Sequence, residues 1–302
     1  MYKHKLSDFQ QWKQKPHAED YLIYPENIGP FLSIDEVSLS KGELYTYVTN
    51  KAAKGKKGSL VASIKGTLSK DISDVLVKIP KDLRERVQEI TLDMANNMSL
   101  AVEIAFPNAL KTTDRFHVIK LAMEALQHVR VKERWAAMDK ENKAIAQAKI
   151  DNIKYVPEQY ENEDTPKQLL ARSRYIIAKK TTEWTENQKE RADILFKNYP
   201  SIKKAYKHVM HLRSIYEIKQ RHEAKKRFEE WIIRTQEVEI QEFNTVANTI
   251  TNKIDTILNF FTHRNTNANA ESFNAKIKLF RANLRGVTDT QFFLFRLEKL
   301  FA

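Results

Sequence analysis

The apolar positions of this chain repeat with two periods, one at each end of a long helical middle. Between residues 31 and 118 they come in short runs bounded by turn residues. The run FLSIDEVSL (31–39) has aliphatic and β-branched residues on both sides of Asp35 and Glu36, as a central strand buried on both faces would. ELYTYVTN (43–50) and SLVASIK (59–65) alternate as strands do, joined by the hairpin loop KAAKGKKG (51–58). QEITLDM (88–94) and ALKTTDRFHV (109–118) are two further runs, each carrying an acid where it ends, Asp93 and Asp114. Between them the pattern predicts a helix over 71–87 broken at Pro80, where no backbone N–H is available, and an amphipathic helix over 96–106 closed by Pro107. Strand, helix and strand at this spacing predict a right-handed parallel unit.

From about 118 to 261 the period is helical throughout. One or two basic helices cover 118–150, a polar connector with Pro157 and Pro166 covers 151–167, and Thr185 with Gln188 forms a capping-box pattern. Long, charged helices follow over 201–242, with Trp231, Ile232 and Ile233 as core residues. The Asn- and Thr-rich segment 259–270 then leads into a helix with Glu271 in its first turns and Asn274 and Lys278 on its flank. Phe273, Ile277 and Phe280 form its buried stripe. Residues 1–30, with a short polar helix over 6–15 and then Pro16, Pro25 and Pro30, read as an arm or linker.

Composition narrows the function classes. The 302 residues hold 51 Lys and Arg against 39 Asp and Glu, a formal charge of +12, which points to a polyanionic partner. The absence of cysteine excludes disulfides, thiolate zinc sites and cysteine nucleophiles. No apolar run approaches the roughly 18 to 20 residues of a membrane helix, so the expectation is a soluble, cytoplasmic protein without a membrane partner. Only 6 Gly and 8 Pro favour long helices.

An ionised carboxylate inside a strand needs a partner or a cation, unless it stands at a strand edge facing water. In a ribonuclease H-like sheet the first three strands are antiparallel, and the fourth lies parallel to the first and directly beside it. Asp35 and Asp93 then become neighbours, and a helix packed on the sheet can bring Glu271 to them. Three such carboxylates repel unless cations lie between, as in two-metal phosphoryl-transfer sites. Hard oxygen ligands select Mg²⁺, two ions, with Mn²⁺ as a substitute. Asp114 is the rival for the second position, one strand further out. Its neighbours Arg115 and His117 either orient a phosphate or belong to a salt-bridged strand-to-helix turn. Lys276, Lys278, Arg281 and Arg285 crowd beside Glu271 as DNA-backbone contacts, and residues 261–302 hold 7 Lys and Arg against 3 acids. The loop lysines of 51–58 read as a solvated tip before a phosphate contact. His208 and His211, three apart on a helix, lack a carboxylate at a useful spacing and read as structural.

Several separated motifs, in order, resemble the DDE transposases of bacterial insertion sequences, in particular the ISL-three group: SIDEVSL (33–39), TLDM (91–94), FPNALKTTDRFHVIKL (106–121), RYIIAKK (174–180), the TENQ helix start at 185–188 and TNANAESFNAKIKLF (266–280). The resemblance implies a ribonuclease H-like α/β core with a mixed five-stranded sheet, split as 31–118 and 261–302 by an all-helical insertion over 119–260. It implies a triad of Asp35, Asp93 and Glu271, supported by Asp114, Arg115, His117 and Asn274. It also implies metal-dependent cleavage of element ends, strand transfer into target DNA, and a homo-oligomer on DNA at the nucleoid. One departure is that the group's usual N-terminal cysteine zinc motif and helix-turn-helix have no counterpart here. A separate upstream DNA-binding polypeptide is then expected, or a truncated remnant. The competing functions are an idle or domesticated DNA-binding protein and a nuclease of the same fold without strand transfer.

Overall fold

The structure is a computed structural model describing residue 3, residues 7–38 and residues 43–302, with the backbone alone at Asn269. Leu39 and the start of the helix expected over 6–15 lie outside the described residues. The chain forms two compact units, one from Met1–His117 with Asp255–Ala302 and one from Val118–Ile254.

The first unit is built on a sheet of β1 (Tyr21–Ile23), β2 (Phe31–Ser38), β3 (Leu44–Asn50), β4 (Leu60–Lys65), β5 (Glu89–Leu92) and β6 (Leu110–Thr113). Among the described residues it has six strands, in the order β1-β4-β3-β2-β5-β6. β2, β3 and β4 pair antiparallel, whereas β5 lies parallel to β2 and β6 parallel to β5. The expected five strands are therefore corrected to six. The extra one is β1, from the segment expected as an arm, which pairs antiparallel with β4 through Tyr21↔Ile64 and Ile23↔Ala62. It covers an edge that would otherwise present unpaired backbone groups. A three-residue Tyr-Leu-Ile run is too short for its period to register in the sequence. The polar helix expected over 6–15 is replaced by 3-10 turns at Asp8–Gln11 and Lys15–His17, and Phe9 and Trp12 are buried.

The two faces of the sheet differ in chemistry. On one, Leu32, Ile34, Val48, Ala62, Ile64, Ile90 and Leu92 pack with residues of α1 (Ser69–Leu76) and α3 (Asn96–Ala105); the short α2 (Lys81–Arg84) follows the Pro80 break. On the other, Val37, Tyr45, Tyr47 and Leu60 join the C-terminal helices, while Ser33, Thr49, Thr91 and Thr112 are buried polar residues. β2 and β5 are thus covered on both sides, apolar on one and polar at the centre of the other.

The chain leaves the first unit along α4 (Arg115–Ile150), a single helix of 36 residues. The second unit continues with α5 (Pro166–Arg172), α6 (Arg174–Ile177), α7 (Glu186–Asn198), α8 (Pro200–Ile215), α9 (Arg221–Val238) and α10 (Gln241–Asn252). Capping boxes start α5 at Thr165 with Gln168 and α7 at Thr185 with Gln188. His208 is packed as core: its Nε2 meets Thr235 Oγ1 at 2.9 Å, its ring stacks on Trp231 at 4.2 Å, and burial pushes its pKa down to about 4. The chain then forms α11 (Ile254–Leu258) and returns to the first unit with α12 (Phe260–His263), α13 (Ala268–Asn283) and α14 (Thr290–Phe301). Phe273 and Ile277 of α13 and Phe293, Leu294 and Leu297 of α14 are buried against the second face of the sheet. No helix among the described residues is long and apolar enough to cross a membrane.

Candidate active site

Strand register sets the level of the acids. Ser33 of β2 pairs with Thr91 of β5, and Thr91 pairs with Thr112 of β6. Asp35, Asp93 and Asp114 each stand two residues further on, so all three reach the same height. Side chains two apart share a face, so they emerge on the polar side that also holds Ser33, Thr91 and Thr112. Neighbouring strands lie about 4.8 Å apart, which makes Asp35 and Asp93 adjacent and puts Asp114 one step beyond.

Each acid is held differently. Asp35 Oδ1 accepts from the backbone N–H of Glu36 at 2.9 Å, and Oδ2 accepts from Asn274 Nδ2 of α13 at 2.6 Å. Asp93 Oδ1 accepts from Ala95 N at 2.7 Å, tying it to the turn after β5. Asp114 is 1% exposed; its Oδ1 accepts from Asn267 N at 3.4 Å and its Oδ2 has no hydrogen-bond partner. Glu271 lies in the first turn of α13 and is exposed. Burial raises the pKa of Asp35, with Asp93 and Asp114 adding to the rise and the Glu36 N–H and His117 opposing it. Desolvation also raises that of Glu271, with Asp114 and Asp35 adding and His117 opposing. Four carboxyl groups and one imidazole thus share an electrostatic neighbourhood in which negative charge is in excess.

A family model described as transposase, that of the ISL-three type DDE enzymes, matches residues 32–297, from β2 into α14. The chain belongs to the ISL-three group of DDE transposases. No curated protein and no solved structure matches it. As a transposase it takes DNA as its substrate.

The basic groups of the transposase divide into two kinds. Lys276 Nζ donates to the carbonyl of Gly55 at 2.6 Å, and Arg281 donates to the carbonyl of Ser38 at 3.2 Å. Both were expected on the DNA backbone; in this structure they tie α13 to the hairpin loop and to the end of β2. Lys278 and Arg285 are exposed. Arg115 is not aimed at the acids, because its guanidinium lies over the Phe260 ring at 5.6 Å.

The loop lysines hold the residue that sequence reasoning missed. Lys51 is 7% exposed and runs inward to donate to Thr91 Oγ1, near Glu89 and Asp114. Burial lowers its pKa to about 8. Only Lys54, Lys56 and Lys57 are exposed there. The available signal was the spacing of Glu89, Thr91 and Asp93, which puts three polar groups on one face of a strand.

Among the described residues, no group of three or more His, Asp or Glu side chains converges as a ready cation cage. The donors still suit a hard cation in kind. They are carboxylate oxygens, one of them a buried and unpartnered Asp114 oxygen, in a neighbourhood that lacks positive charge.

Proposed function

We propose that this transposase cuts DNA at the ends of an insertion sequence and joins the freed 3′ end to target DNA, using Asp35, Asp93 and Glu271 on a ribonuclease H-like core. The strand order β4-β3-β2-β5-β6, antiparallel and then parallel, supports that core, with β1 as an added edge. The observation that carries the reading is the common level of Asp35 and Asp93 on adjacent parallel strands, with Glu271 in electrostatic reach of Asp35.

Asp35, Asp93 and Glu271 would hold two Mg²⁺ ions, or Mn²⁺ in their place. Bound there, the ions supply the positive charge that favours an attacking hydroxide and a departing alkoxide. Asn274 fixes the Asp35 carboxylate from α13, so that Asp35 and Glu271 are set by one helix. His117 provides the nearby cationic group that opposes the raised pKa values of Asp35 and Glu271, and it can donate to a phosphate oxygen. In cleavage, water oxygen bonds to phosphorus as the P–O3′ bond breaks, leaving a 3′ hydroxyl and a 5′ phosphate. In transfer, that 3′ hydroxyl attacks a target phosphodiester and displaces its 3′ oxygen. Lys278 and Arg285, exposed on and just past α13, are the side chains available to fix the DNA backbone.

The test is cleavage of a supercoiled plasmid carrying the gene with its flanking DNA, followed by a search for products joined through supplied 3′-hydroxyl ends. Asp35→Asn, Asp93→Asn and Glu271→Gln are each expected to lower cleavage by about 10³-fold or more while DNA affinity stays within about twofold. An acid whose variant still cuts is not in the triad. Chelation should stop the reaction, and Mn²⁺ should restore it. Products cut but never joined would make the protein a nuclease.

A further inference from the structure

Beneath the three aspartates, on the same face of the sheet, lies a set of charged groups that the proposed chemistry does not use. Glu89 opens β5 and is completely buried at 0% exposure. A carboxylate there is tenable only with donors or a cation. Its Oε2 accepts from His263 Nδ1 at 2.6 Å and from Asn265 Nδ2 at 3.0 Å. Asp114, the other buried acid, accepts from the backbone N–H of Asn267. The Asn267 carbonyl in turn accepts from the N–H of Glu271 at 2.8 Å. Residues 263–267, which lead into α13, are therefore fastened to two buried acids of β5 and β6. Lys51 is the buried ammonium near both, and it is also bonded to Thr91, between Glu89 and Asp93.

The apolar stripe of α13 explains why directional anchors matter. Phe273 and Ile277 hold the helix against the sheet, but apolar contacts tolerate small slides and rotations that hydrogen bonds to fixed carboxylates do not. An error of about 1 Å in a reacting group can cost on the order of 10²-fold in rate.

We propose that Lys51 and Glu89 are positioning residues for transposition: with Asp114 they form a buried anchor that holds segment 263–267 and so sets the place of Glu271 against Asp35 and Asp93. This rests on the reading of Glu271 as a catalytic acid. Asp114 then belongs to the anchor, in keeping with its burial.

The experiment compares Glu89→Gln and Lys51→Met in the full chain with the parent protein on the same plasmid substrate. It measures the single-turnover cleavage rate at saturating protein, DNA affinity, and hydrogen exchange of the backbone amides of residues 267–273. The expected result is a rate lowered about 10- to 100-fold, affinity within about twofold, and faster exchange in the first turn of α13 with β2 and β3 amides unchanged. His263→Gln and Asn265→Ala sit at the solvent edge of the anchor and carry the same test if either buried variant fails to fold. Parent-like rates in all the folded variants would overturn the proposal, and so would slower cleavage with unaltered exchange or with equally weakened DNA binding. Asp35→Asn and Glu271→Gln run alongside. If they are inactive while the anchor variants cut normally, only the anchor fails; if they cut normally, the catalytic assignment itself fails.

Discussion

Asn274 shows how much one amide can decide. It is 7% exposed and donates to Asp35, which burial otherwise leaves hard to ionise. Asn274→Ala is expected to lower cleavage about 10-fold with DNA affinity unchanged, and Asn274→Asp to lower it further by adding a like charge. Single-turnover rates on the plasmid substrate check both. Gly55 is the other sensitive position. Its φ is +68°, and an added Cβ would lie 3.2 Å from Lys276 Nζ. Gly55→Ala is expected to cost about 1 kcal/mol, read in a urea titration. At this scale the sequence was most informative where chemistry and position coincide: acids ending apolar runs stood out, and Asn274 was visible on the flank of Glu271. Lys51 was hidden because lysine among glycines reads as solvent-facing, and only the strand register shows that the loop base turns inward.

At the scale of elements, α13 joins two jobs, since one face carries Glu271 and Asn274 and the other is bound to the core. Phe273 has no exposure and packs edge-on against Tyr47 at 5.7 Å and Phe301 at 4.9 Å. Phe273→Ala should cost about 3–5 kcal/mol in chemical denaturation. In the second unit, α8 and α9 close over His208, beside His211 and Arg234, which oppose its protonation as burial does. Its pKa falls from 6.5 to about 4, so the unfolded chain binds the extra proton between those values. The stabilising contribution is complete above about 6.5 and is lost as pH falls towards 4, an effect on the order of 3 kcal/mol at most. His208→Gln should flatten that acid limb relative to the parent protein in thermal melts from pH 7 to 4. The helices were legible because each carries its own period and its own start signal, as at Thr185 and Gln188. β1 was not, since three residues have no period and its strand character comes from the edge of β4.

For the molecule as a whole, a formal charge of +12 and membership of a transposase family agree on DNA, and the salt response should show it. Lys278→Ala and Arg285→Ala are each expected to reduce the slope of log affinity against log salt by about 1 if they contact phosphate, measured by titrations at several salt concentrations. Lys276→Ala should change stability more than that slope, because its ammonium is engaged by Gly55. The local sequence outlined the antiparallel and parallel runs, but not the levelling of Asp35, Asp93 and Asp114, which is a property of pairing between distant segments. The interrupted layout of the first unit has a consequence for synthesis. The ribosome completes β1 to β6 first, then the whole of Val118–Ile254, and only afterwards α13. A nascent chain therefore carries three aspartates on an uncovered polar face for the time needed to make the second unit, and it lacks Glu271 throughout. Under the proposed chemistry such a chain cannot cut the DNA that encodes it, and chain completion itself becomes the step that arms the enzyme.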